Sequence, residues 1–176
     1  MAGGQAQRFP GKLEHPIGGR AMVARCYDRV CAAGWPVYIA AKGSFRRDVD
    51  AELDAPLLID RRPRGGPLNA FLSACATIRA DRIFAVAADQ PQLDAHALLR
   101  LAASWRSGDE AVVPEHDDTI EPLAALYLRR AVLREGFALR RTGRCAMRDL
   151  IERLVTRRVP LDAHYFHNVN RIEDLP

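Results

Sequence analysis

Apolar residues fall into short continuous runs separated by stretches in which they recur every three or four positions, the periods that distinguish strands from helices. The runs at 36–41, 55–60 and 82–88 predict three buried parallel strands, the first following Gly34 as a helix stop. Helical spacing fills the gaps at 20–33 and 67–80. In the second of these Leu68, Phe71, Leu72, Cys75 and Ile78 share a face, and Pro67 suits a first turn. Asp94 reads as the N-cap of a further helix ending near Gly108, with Ala95, Leu98, Leu99 and Ala102 turned inward. Residues 111–114 and 122–128 read as strands on either side of a polar tip at 116–119. Helices follow at 129–136 and 145–154, then a last strand at 157–161.

Alternation of this kind implies right-handed crossovers and an α/β fold, a doubly wound, Rossmann-like, mostly parallel sheet. Such sheets bind ligands beyond the carboxyl ends of their strands. One domain over residues 1–176 accounts for the chain, with 9–19 and 61–67 short enough to be working loops.

Composition narrows the classes. The 26 Lys+Arg against 22 Asp+Glu leave a net charge of +4, and 48% hydrophobic with 27% charged residues is ordinary for a globular chain. A chain of this length buries roughly 70% of its unfolded surface, so Cys26, Cys31, Cys75 and Cys145 need not be staples. They form no C-x-x-C pair and have no His at zinc-finger spacing, which reads as isolated thiols. Residues 1–8 lack a signal-peptide core and no long apolar run follows, so a cytoplasmic protein without membrane contact is expected. With 7% aromatics and scattered arginines, nucleic-acid binding is disfavoured, whereas small anionic substrates fit. No Ser-His-Asp set, nucleophile elbow or H-E-x-x-H is present, and His15, His96, His116, His164 and His167 read as structural or exposed.

Four segments could carry chemistry. Ala2, Gly3 and Gly4, followed by Arg8 and Lys12, combine glycines that admit a phosphate to the backbone with positive charge, or form a flexible terminus. Asp89, before Gln90 and Pro91, stands at the end of a predicted strand, where it either ligates Mg²⁺ or caps its loop. Asp60 with Gly65, Gly66, Pro67 and Leu68 either leads a second ligand-facing loop into a helix N-terminus or makes an ordinary turn. Asn168 and Asn170, two apart in an extended segment, would face one way and offer amides to a ligand, or shape a turn.

Taken in order, these segments resemble the molybdenum cofactor guanylyltransferases, the MobA family. The match runs through the A-G-G loop at Ala2-Gly3-Gly4 with Arg8 and Lys12, then Asp60 before Gly66-Pro67-Leu68, then Asp89-Gln90-Pro91. It continues through the E-P-L pattern from Glu121 to Tyr127 and ends on Asn168, Asn170 and Glu173-Asp174-Leu175. The resemblance implies a nucleotidyltransferase fold and transfer of GMP from GTP to the phosphate of molybdopterin, with release of pyrophosphate. It also implies Mg²⁺ on Asp89, and Gly3, Gly4, Arg8 and Lys12 on the leaving phosphates. Asp60, Gly65, Gly66 and Leu68 would face the nucleotide, and Asn168 and Asn170 the pterin. A molybdoenzyme chaperone or the molybdenum insertase are the partners it implies.

The chain departs from the family at three points. The apolar strand that normally precedes A-G-G is missing, so the translated start is expected to lie upstream of Met1 and an extended chain to be more stable. The loop Phe9-Pro10-Gly11 is short, and Ala40-Ala41-Lys42 stands where the family often has Asn. Asp89-Gln90-Pro91 is also similar to the molybdopterin cytidylyltransferases, whereas Gly66-Pro67-Leu68 and the Asn pair favour the guanylyl branch. A sugar-phosphate nucleotidyltransferase and a non-catalytic nucleotide-binding protein are the remaining alternatives.

Overall fold

A computed structural model of the chain describes residues 11–59, 66–169 and 174. After a single 3-10 turn at Lys12–Glu14, a small hairpin of β1 (Pro16–Ile17) and β2 (Arg20–Ala21) leads into α1 (Met22–Cys31). Then come β3 (Ile39–Ala41), α2 (Arg47–Asp50), β4 (Leu57–Ile59), α3 (Gly66–Thr77), β5 (Arg82–Val86) and α4 (Ala95–Ala103). The second half comprises β6 (Ala111–His116), β7 (Thr119–Ile120), β8 (Ala124–Leu128), α5 (Arg129–Arg141), α6 (Met147–Ile151), β9 (Thr156–Pro160) and a second 3-10 turn at Ala163–Phe166. No helix among the described residues is long and apolar enough to cross a membrane.

The α/β expectation holds, with a change in strand direction. β3 and β4 form a separate parallel pair; in the five-stranded sheet β6 pairs parallel with β9, but β8 lies antiparallel to both β5 and β6. The sheet is therefore mixed rather than mostly parallel. The cause is local: β6 turns back through Asp117 and Asp118, both at positive φ (44° and 59°), into β7 and β8 instead of crossing over through a helix. β5, β6 and β9 still point the same way, so their carboxyl ends form one rim.

Helices cover both faces of the sheet. On one side Leu68, Phe71 and Leu72 of α3 pack with Tyr127, Leu139 of α5 and Leu150 of α6. On the other, Leu98 and Leu101 of α4 pack with Leu126, Val159 and Phe166. Neighbours Leu126 and Tyr127 thus serve opposite cores, as strand alternation requires. The expected face of α4 is rotated: Ala97, Leu98 and Leu101 are buried whereas Leu99 is 48% exposed. Asp94 caps the helix as expected, accepting from the Ala97 N–H at 3.0 Å, and Leu93 just before it is buried and sets the phase. Gly136 lets α5 lie close against α3, because a Cβ there would come within 2.5 Å of Leu72 Cδ2.

β4 is less buried than its apolar run suggests, Ile59 being 47% exposed, whereas Ile39 and Ala41 of β3 are buried. Between β3 and β5 lies a cavity of about 580 Å³ with walls from Trp35, Tyr38, Leu58, Ile83 and Phe84. Residues 1–10, and with them the expectation that a first strand is missing, lie outside the described residues.

Candidate active site

The rim gathers residues far apart in sequence. The chain leaves β5 through Ala87 and Ala88, both buried, and presents Asp89 with its side chain 26% exposed. Lys12 Nζ donates to Asp89 Oδ2 at 2.6 Å and to the Val169 carbonyl at 3.3 Å. The Val169 N–H in turn donates to the Asp89 carbonyl at 3.0 Å. Residues 12, 89 and 169 are therefore laced into one unit, and the short loop before Lys12 does not keep it from the site. Val169 is fully buried, whereas Asn168 before it is exposed.

Asp89 and Asn168 line a cavity of about 540 Å³ together with Gln90, Glu121, Arg148 and Pro67. Gly66 opens α3 beside it at φ +71°, and a Cβ there would meet the Cys145 carbonyl at 3.2 Å, so both the turn and the close approach call for glycine. Behind the rim, the Cys26 thiol donates to the Ala88 carbonyl at 3.3 Å. Burial pushes its pKa up to about 12, which makes it a packing group and not a nucleophile.

The structure thus brings together Lys12, Asp89, Asn168 and the Gly66-Pro67 helix start. Leu68 is a correction: its side chain is wholly buried in the core beside Phe71 and Tyr127, so it anchors α3 and cannot touch a ligand. Ala2, Gly3, Gly4, Arg8, Asp60, Gly65 and Asn170 lie outside the described residues. Glu121, Gln90 and Arg148 are cavity residues that the motif reading did not single out. Gln90 had adjacency to Asp89 as its only signal, and Glu121 entered only as a letter of the E-P-L pattern.

The donor set fits a hard divalent cation. Asp89 offers carboxylate oxygen to an open cavity, and Asn168 adds an amide oxygen. Among the described residues no three His, Cys, Asp or Glu side chains converge to cage a metal. A cation held here would complete its shell with water and substrate phosphate, the habit of Mg²⁺ in phosphate-transfer sites.

Comparison with known proteins bears on this geometry. The family model described as MobA-like NTP transferase domain matches residues 1–159. The chain is 32% identical over 163 residues to a probable molybdenum cofactor guanylyltransferase of Opitutus terrae, covering 90% of this chain and 78% of that protein. It is 31% identical over 141 residues to a protein of the same description from Methanothermobacter thermautotrophicus, covering 76% of this chain and 70% of that one. Among solved structures, molybdopterin-guanine dinucleotide biosynthesis protein A from Archaeoglobus fulgidus superposes with a TM-score of 0.80 at 20% identity, over 99% of this chain and 95% of that chain. At that identity the likeness concerns the fold.

Proposed function

The chain belongs to the MobA-like NTP transferase family, and from that premise we propose that it transfers GMP from GTP to the terminal phosphate of molybdopterin. The observation that carries the reading is Asp89 at the carboxyl end of β5, held by Lys12 and facing the same cavity as Asn168. In the reaction an oxygen of the acceptor phosphate bonds to the α-phosphorus of GTP while the bond from that phosphorus to the bridging oxygen breaks, releasing pyrophosphate. The acceptor phosphate is already ionised near neutral pH, so no general base is needed. Positioning and charge neutralisation are what this chain supplies.

Lys12 holds Asp89 through a flexible four-carbon stem. It is within reach of entering phosphates and carries the compact point charge that suits them. Arg8 and the Gly3-Gly4 backbone are assigned to the same leaving group, and Asp60 with residues 65–67 to the nucleotide. Asp89 would hold Mg²⁺, which when bound neutralises charge on the α-phosphate oxygens. Asn168, with Asn170 two residues on, is assigned to the pterin side. The proposal places the enzyme in the cytoplasm with small-molecule substrates.

Calorimetric titration in Mg²⁺ with GTP and CTP side by side, followed by pyrophosphate release with molybdopterin as acceptor, tests the reading. Selective GTP binding with acceptor-dependent release is expected. Preference for CTP would move the chain to cytidylyl transfer, and absence of acceptor-dependent release would refute transfer.

A further inference from the structure

Glu121 stands in a three-residue bulge. Glu115 and His116 of β6 face Ile120 and Thr119, yet Ala111 and Val112 face Tyr127 and Leu126, which leaves Glu121, Pro122 and Leu123 as extra residues on the returning side. Bulges bend a strand and re-aim its side chains, commonly beside active sites. This one is fastened on every residue. The Glu121 N–H donates to the Pro114 carbonyl at 3.0 Å, the Ala87 N–H to the Leu123 carbonyl at 2.7 Å, and the Tyr127 hydroxyl to the Pro122 carbonyl at 2.7 Å.

The bulge turns the Glu121 carboxylate into the cavity shared by Asp89 and Asn168, with the side chain only 17% exposed. Two groups hold it there. His116 Nε2 lies 3.2 Å from Oε1, and the His116 ring is stacked on Phe166 at 5.1 Å between centroids and 12° between planes. Gln90 Nε2 donates to Oε2 at 3.4 Å, while the Gln90 Oε1 is buried without a partner among the described residues. A buried amide oxygen left unpaired costs stability; here the opposite rotamer would set that oxygen against the carboxylate, so the anion fixes the amide. None of these contacts serves the phosphates. A carboxylate accepts about four hydrogen bonds, so two directions remain open.

On the nucleotidyl-transfer reading above, we propose that Glu121 recognises the N–H face of a 2-amino-4-oxopyrimidine ring, the chemistry shared by guanine and pterin. That face carries a ring N–H and an exocyclic amino group side by side, and a carboxylate accepts both in parallel, as it does from a guanidinium. Pro67, Pro122, Leu123 and Met147 supply apolar walls for the flat ring. Cytosine sets an acceptor nitrogen beside its amino group, so Glu121 repels it. Gln90 and His116 are positioning residues that act through Glu121.

The test compares wild type with Glu121→Gln, which keeps size and removes charge, in Mg²⁺. Calorimetry with GTP and with inosine triphosphate, which lacks the 2-amino group, reads the guanine arm. Transfer rates at varied molybdopterin read the pterin arm. A carboxylate–N–H contact predicts a rise of about 10- to 100-fold in the Kd or KM of the ring that Glu121 holds, with a smaller change in kcat. Loss of GTP affinity together with loss of the preference over inosine triphosphate assigns the contact to guanine. A raised molybdopterin KM at unchanged GTP affinity assigns it to pterin. Unchanged constants in both arms, or a fall in kcat alone, overturn the proposal. Glu121→Asp, which keeps the charge on a shorter arm, gives an intermediate rise and serves if Glu121→Gln melts early. A wild-type chain that neither binds GTP nor transfers defeats both readings, whereas an active wild type matched by Glu121→Gln defeats only this one.

Discussion

Asp89 shows how much one residue's meaning depends on its neighbours. In sequence it is a carboxylate before Gln90-Pro91; in the structure it is tied to Lys12 at 2.6 Å and beside Asn168 at a cavity mouth. Asp89→Asn keeps the shape but removes the anion, so turnover measured by pyrophosphate release should fall by about 100- to 1,000-fold while the melting temperature stays within a few degrees. A second carboxylate is structural. Asp109 is 7% exposed and takes two hydrogen bonds from Arg157, at 2.7 and 3.0 Å, and one from the Arg106 N–H at 2.8 Å. Burial alone would raise its pKa, but the bonds from Arg157 and Arg106 and their charges outweigh it and hold the group below its ordinary 3.8. A lowered carboxyl pKa stabilises the fold above the unfolded value and ceases to do so as pH falls through the folded one. Asp109→Asn should therefore cost about 2 kcal/mol at neutral pH. In urea melts across pH, that gap should close only below the ordinary carboxylate range.

Elements were legible where a single period dominated. α3 buries the face that its apolar spacing marks, and β5, a continuous apolar run, packs on both sides, with Ala85 in one core and Phe84 and Val86 against the other. The rotation of α4 was not legible, since Leu98 and Leu99 are equally apolar and only the packing of Leu93 and Leu101 decides which turns in. The bulge at Glu121 was equally hidden: it exists because β7 and β8 must reach both β6 and β5, a demand made by strands distant in sequence. Gly136 illustrates an element-scale constraint. Gly136→Ala would ordinarily favour a helix by up to about 1 kcal/mol, but here the new methyl meets Leu72, which is 1% exposed and cannot yield freely. Overpacking of this kind costs about 1–3 kcal/mol, so a net fall of a few degrees in melting temperature is expected by calorimetry.

For the whole molecule, burial and the rim sort the cysteines: Cys75 lies in the core under α3, and Cys26 in a smaller cluster with Ile17, Met22 and Val169. Cys26 and Cys75 are buried, with burial pushing both thiols up to about 12, whereas Cys31 and Cys145 are partly exposed. Cys145 also lines the Asp89 cavity. A maleimide at neutral pH should label Cys31 and Cys145 and spare the other two in the folded chain. Mass spectrometry should further show that bound substrate slows labelling of Cys145 and leaves Cys31 unchanged. The sequence by itself determined the alternation of strands and helices, the capping of α4 by Asp94 and the placing of Asp89 at a strand end, because periodicity, caps and turns are local and short-ranged. Only the tertiary structure decided that β8 runs against its neighbours, that Leu68 belongs to the core, and that Lys12, Asp89, Glu121 and Asn168 share one rim. Those outcomes depend on which segments meet across the sheet, and that is set by the joint burial of many side chains rather than by any segment's own pattern.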